Sequence, residues 1–403
     1  EEEVKVVQTG CFGLCALGPI MIVYPEGCFY SCVKTEDIKD RKNILCITPA
    51  TYPHVTGGME IFNYYLKNRL RDDFNISYLA HKDSCIDRVK WKKLFNIRPI
   101  KYLIPFQTLL YLLFHPKTKM AVVSYSMGGG MLWYLYSWIH TLLRRDYIAV
   151  IHYGKSIPTE GHNKRKHFFN NAHKVIAVSE DIKKNYDAAY DIDCEVLYPL
   201  VPFNIAKESK EDLRAKYNIP VDAIVISMVG SIIPLKNPDT LLEALHFFTP
   251  QELEQHNIHI VYAGGGHMFD DFKSRVYKSP HTNRVHMLGI VPKENVNEIM
   301  KLSDQYLIAS DFEGTSVSLL EAMYNSLPII TSRAPGIVNT ISENKEALMF
   351  TTKNASELKD NILKICTDKE LAKNLSKEAR KAYDERYSYE KMIDRYVQIL
   401  NKE

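Results

Sequence analysis

The chain has 403 residues, enough for two or three domains, and its 46% apolar and 25% charged composition is that of an ordinary globular protein. A net charge of +3 is too small to point to nucleic acid as a partner. No stretch reaches the roughly 18 consecutive apolar residues of a membrane-spanning helix.

The opening residues, EEEVKVVQ, carry no secretory-leader pattern. The eight cysteines, at 11, 15, 28, 32, 46, 85, 194 and 366, are therefore expected in a reduced, cytoplasmic setting. In "GCFGLCALGPIMIVYPEG", Cys11 and Cys15 sit in a glycine-rich turn ahead of a short apolar strand. Residues 3–40 resemble the C-terminal half of a thioredoxin-like ferredoxin domain, with Cys11 and Cys15 matching its second pair of ligands. A 2Fe-2S cluster needs four ligands. Cys28 and Cys32 fall in a predicted strand, about 13 Å apart at ~3.3 Å per residue, too far to share one small cluster. An intact 2Fe-2S cluster, and electron transfer with it, is not expected.

From Asn43 the pattern becomes strand, loop, helix, repeated. "NILCIT" is followed by the loop "PATYPHVTGG" and the helix "MEIFNYYLKNRL", with Met59, Phe62, Leu66 and Leu70 on one face. The strands "ISYLA", "AVVSYS", "YIAVIHY" and "KVIAVS" come next. Between them, "MLWYLYSWIHTLL" (residues 131–143) precedes Arg144 and Arg145. It reads as a buried crossover helix or as an interfacial one with aromatic and basic anchors, which leaves peripheral membrane contact open. Residues 198–210, with two prolines, read as a linker. The alternation then restarts with the strands "AIVISMVG", "HIVYAGGG", "VHMLG", "QYLIAS", "LPIITS" and "ALMF", and a charged helical stretch closes the chain.

Apolar strands alternating with amphipathic helices predict an α/β protein of two doubly wound Rossmann-like domains facing a cleft, with a short N-terminal α/β fragment. The expected boundaries are 1–41 for the fragment, 42–205 and 206–383 for the two domains, and 384–403 for a C-terminal helix.

The most informative segment is "LIASDFEGTSVSLLEAM", residues 307–323. A strand ends near Ser310, and a loop carries Asp311, Glu313 and Gly314. A helix starts near Ser316, so the amides around Thr315, Ser316 and Val317 form an anion site at its N-terminus. Glu313 and Glu321 taken singly could be a helix-dipole partner and a solvated residue. Together with "EG", "LLEAM" and the following "LPIITS", they resemble the signature of the retaining family 4 glycosyltransferases of GT-B fold.

Further positions carry the same resemblance across residues 43–395. "VGSIIPLKNPDTLLEAL" resembles the loop in which an Arg and a Lys hold the donor diphosphate; Lys236 matches the Lys, while Ser231 stands at the Arg position. "VYAGGGHM" supplies Gly264, and "SRAPGIVNT" supplies Gly336 beneath the donor. In the first domain "PHVTGGME" brings Gly57 and Gly58 to the cleft, and "AVIHYGKS" sets His152 at a strand end near the donor sugar. Ser179 is expected as a helix N-cap.

The resemblance implies metal-independent transfer of a sugar from a nucleotide-diphosphate donor, with retention, to a glycan, lipid-linked or small-molecule acceptor. Lys236 would meet the charge on the leaving diphosphate. Glu313 would hold the donor sugar and Glu321 the ribose. The readings left open are a GT-B epimerase or phosphorylase, and a sugar-nucleotide-binding protein without turnover.

Overall fold

The computed structural model describes residues 20–23, 28–31, 41–48, 58–70, 73–80, 104–125, 130–152, 157, 159–199 and 201–402. Near the start, β1 (Ile20–Val23) and β2 (Cys28–Ser31) form an antiparallel hairpin in which Val23 opposes Cys28. Cys11, Cys15 and Cys32, which bear on the ferredoxin-like reading, lie outside the described residues.

Two six-stranded sheets follow, both wholly parallel. The first holds β3 (Lys42–Thr48), β4 (Phe74–Ala80), β5 (Thr118–Tyr125), β6 (Asp146–Ile151), β7 (Lys174–Ala177) and β8 (Glu195–Val196), in the order β4-β3-β5-β6-β7-β8. The second holds β9 (Ile224–Val229), β10 (Ile258–Ala263), β11 (Val285–Gly289), β12 (Gln305–Ile308), β13 (Ile329–Ser332) and β14 (Leu348–Phe350), in the order β11-β10-β9-β12-β13-β14. Each order reverses beside its first strand, β3 or β9. Such a switch point opens a crevice at the carboxyl ends of the strands.

Burial on both faces explains the near-continuous apolar strands. Leu45, Val123 and Ala149 in the first sheet, and Ile226, Ile260 and Ile330 in the second, are fully buried. The helix Gly58–Leu70 forms as its sequence pattern predicts, with Leu66 and Leu70 buried.

The linker of residues 198–210 is less solvated than its composition implies. Tyr198 meets Tyr387 edge-on with ring centroids 4.5 Å apart, and Phe203 packs between Tyr324 and Tyr383. Tyr198, Val201 and Phe203 are thus pinned to the second core. The last helix, Tyr389–Asn401, belongs by packing to the first sheet: Ile393, Tyr396, Ile399 and Leu400 complete that core. Arg395 pairs with Glu195, and Lys402 with Asp146 at 2.5 Å. The chain therefore crosses between its two halves twice, at the linker and just before this helix.

Candidate active site

Four loops converge at the carboxyl ends of the second sheet. The loop after β9 makes a single 3-10 turn, Pro234–Lys236, and its next residue, Asn237, adopts a left-handed conformation (φ 46°) to start the helix Pro238–Phe247. Asn237 donates a side-chain hydrogen bond to Asp311, and the Asp311 amide donates to the Leu235 carbonyl at 2.8 Å. Asp311 also pairs with Lys353 at 3.2 Å. The turn bearing Lys236 is thereby tied to the loop bearing Glu313.

Glu313 is 8% exposed. Its Oε1 accepts from Lys236 Nζ at 2.5 Å and from Ser310 Oγ at 2.7 Å. Lys236 and Ser310 thus meet on one carboxylate oxygen, at the end of β12. A pocket of about 20 Å³ sits there, lined by Gly230, Lys236, Tyr262, Ser310, Glu313 and Ser318. A larger cleft of about 730 Å³ opens beyond the Pro234–Asn237 turn, against His267 and Lys353, and neither Glu313 nor Lys236 lines it. Lys236, Ser310 and Glu313 converge on the smaller pocket.

Close backbone approach explains two of the expected glycines. Gly336 has φ 86°, and a Cβ there would lie 1.9 Å from the Glu313 carbonyl oxygen. The Glu313 amide donates to the neighbouring Pro335 carbonyl at 3.0 Å, so the two loops are laced together. At Gly264 a Cβ would lie 1.8 Å from the Gly230 carbonyl oxygen. Both positions demand glycine for packing the loops that frame the pocket.

Glu321 is 3% exposed, on the helix Val317–Tyr324. The solvated-residue alternative is therefore wrong: Leu319, Leu320, Ala322 and Met323 around it are all buried. Burial raises its pKa, and the adjacent Lys293, with Nζ 2.7 Å from Oε2, opposes that rise. Ser316 caps this helix by accepting from the Leu319 amide at 3.4 Å. Thr315 instead donates its hydroxyl to the Val178 carbonyl of the first half.

The first half contributes at the same place. His152 follows β6, and a Cβ on Gly314 would lie 3.6 Å from its carbonyl oxygen. Burial lowers the His152 pKa to about 3, so the imidazole is neutral at physiological pH. Ser179 caps the helix Glu180–Tyr190, and Asp181 in its first turn accepts from Asn339 at 2.7 Å. Gly58 is the first residue of its helix, and Gly57 lies outside the described residues. Glu313, Lys236, Gly314 and Gly336 are thus brought together, with the backbone of His152 against Gly314. Glu321 stands on the helix that follows, paired with Lys293 from the turn after β11.

The sequence reading gives no site role to Lys293, to Ser310 or to the Asn237–Asp311 pair. A signal existed for the first. A glutamate amid "SLLEAM" faces the core and needs a cation, and "GIVPKENV" offers one directly after β11.

Two doubly wound sheets, with a lysine and a carboxylate meeting at the strand ends of the second, make up a GT-B architecture. Residues 209–382 match the family model described as Glycosyl transferases group 1, so the second half carries that domain. An uncharacterized glycosyltransferase of Methanocaldococcus jannaschii is 23% identical over 86% of this chain and 95% of its own length. A second one from that organism is 24% identical over 56% of this chain and 59% of its own length. The phosphatidylinositol N-acetylglucosaminyltransferase GPI3 subunit of Saccharomyces cerevisiae is 25% identical over 73% and 69%. Among solved structures, Anabaena HepE in complex with UDP superposes with a TM-score of 0.70 at 15% identity, covering 90% of this chain and all of that one. The ferredoxin-like reading of residues 3–40 gains no support from these matches.

Proposed function

We propose that the protein transfers a sugar from a nucleotide-diphosphate donor, with retention of anomeric configuration, to a glycan, lipid-linked or small-molecule acceptor. The observation that carries this reading is the Lys236–Glu313–Ser310 contact at the carboxyl end of β12, with Gly336 beneath it and His152 beside it. Lys236 supplies a point charge for the diphosphate that leaves as the glycosidic bond breaks, and the N-terminus of the helix Val317–Tyr324 adds partial positive charge. Glu313 orients the sugar hydroxyls. Neutral His152 donates or accepts a hydrogen bond without adding charge beside the sugar. Glu321 holds the ribose.

A pocket of about 20 Å³ cannot admit a hexose. On this reading Lys236 turns from Glu313 to the diphosphate as the donor enters, and Glu313 exchanges an ammonium for sugar hydroxyls. Solved relatives of this fold bind UDP and UDP-glucose, by their descriptions, which makes uridine-diphosphate sugars the first donors to try.

The reading holds that the transfer is independent of metal ions. The test is release of nucleoside diphosphate from a panel of nucleotide sugars, with and without EDTA. Release from at least one donor, unchanged by EDTA, is expected. Loss of release on chelation contradicts the charge-neutralising role given to Lys236.

A further inference from the structure

The helices Ile104–Phe114 and Gly130–Leu142 pack side by side against the core of the first sheet. Their inner faces behave as core: Leu112, Leu132, Trp133 and Tyr136 are buried. Their outer faces are apolar too. Phe106, Leu110, Leu113 and Phe114 recur at helical spacing and are 54%, 38%, 55% and 78% exposed. On the second helix Met131, Leu135, Trp138 and Leu142 form a matching stripe, 47% to 67% exposed. Eight of the fifteen exposed large hydrophobic side chains among the described residues thus lie on two neighbouring helices. Scattered exposed apolar residues are ordinary, but a contiguous face is not.

The chain that builds this face carries charge of one sign as far as Asp146, which pairs with Lys402. Residues 104–145 contain no Asp or Glu and four cations, Lys117, Lys119, Arg144 and Arg145. All four follow the C-terminal ends of the helices. Arg145 joins those ends, donating from Nη2 to the Pro116 carbonyl at 2.9 Å. Lys117, Lys119 and Arg144 are exposed. No described helix is long and apolar enough to cross a membrane.

We propose that this outer face docks on an anionic lipid bilayer. Trp138, the phenylalanines and the aliphatic residues enter the interface, while the three exposed cations meet the headgroup phosphates. Charge complementarity selects this occupant over a second copy of the chain, because neither copy's helices carry a carboxylate to pair those cations. The docked orientation also suits the cleft. The helix Gly130–Leu142 begins just beyond the end of β5, so Met131 lies on the side of the sheet where the strand ends open. On the glycosyl-transfer reading, and resting on it, the acceptor is then one carried in that bilayer.

The test uses the full chain and vesicles of phosphatidylcholine, alone or with about 30% phosphatidylglycerol, in co-sedimentation without any donor. A failure of the donor chemistry therefore leaves this result interpretable. Binding to the anionic vesicles is expected, weakening as salt rises. Each cation near an anionic surface contributes roughly fivefold. The triple variant Lys117→Glu, Lys119→Glu, Arg144→Glu should bind at least tenfold more weakly, and so should Leu113→Ser, Phe114→Ser, Trp138→Ser. Unchanged circular dichroism in both shows that the fold persists. Three results overturn the proposal: no binding to anionic vesicles, equal binding by folded variants, or a lipid-free dimer that the Trp138 variant dissolves.

Discussion

Lys236 Nζ lies 2.5 Å from Glu313 Oε1, joining the loop after β9 to the loop after β12 across the pocket. Glu313 is nearly buried, and Lys236 keeps about a quarter of its side chain exposed. The pair therefore has one fixed member and one that can swing. Lys236→Ala should lower kcat about 100-fold, the scale seen when one group facing developing charge is removed. Glu313→Gln should match that loss while leaving the fold intact. Steady-state kinetics checks both, and a rise in KM alone for Lys236→Ala would mean that it binds the donor without aiding transfer.

Gly336 admits no side chain. Replacing it by alanine places a methyl group 1.9 Å from the Glu313 carbonyl oxygen in a backbone of φ 86°. The loops must separate, at a cost of about 2 kcal/mol or more. A lower Tm together with reduced kcat is the expected outcome for Gly336→Ala, read by calorimetry and turnover. Parental stability and activity would show that the loop contact is not needed.

The buried Glu321–Lys293 pair makes a pH-dependent prediction. Burial raises the Glu321 pKa, so the native state holds its proton more tightly than the unfolded chain does. The destabilising cost of its charge is present above the folded pKa and is relieved as pH falls towards the unfolded value. Lys293→Met removes the compensating cation and should destabilise by roughly 3 kcal/mol at pH 7. The gap to the parent should narrow towards pH 5. Denaturant unfolding at both pH values measures it, and a gap independent of pH would rule out an orphaned carboxylate as the cause.

His152, with its pKa lowered to about 3, should not titrate between pH 5.5 and 8. His152→Asn is expected to reduce kcat without moving the acid limb of the pH–rate profile. A limb near pH 6 that disappears in this variant would show that the imidazole ionises during turnover.

Much of this architecture is legible in the sequence because the two sheets are parallel and doubly covered. Apolar runs such as "AVVSYS" and "AIVISMVG" announce themselves, and Glu313, Lys236 and Gly336 lie in loops whose residue types follow the chemistry and the close approach. Contacts between distant segments are less legible. The helix Ile104–Phe114 has no polar face to give it period, β8 has only two residues, and the closing helix returns to the first sheet through Ile393 and Tyr396, which no local pattern could assign. The partner of Glu321 was legible only in part: the buried glutamate asks for a cation, but Lys293 lies 28 positions away.

The central claim is sugar transfer at the Lys236–Glu313 site. Its most direct test is product mass spectrometry, with anomeric configuration by NMR, for a panel of nucleotide sugars and acceptors run on the parent, Lys236→Ala and Glu313→Gln. The account predicts a glycosylated product of retained configuration from the parent, reduced at least 100-fold in both variants. Donor binding without product in the parent, or full-rate transfer by the two variants, would contradict it.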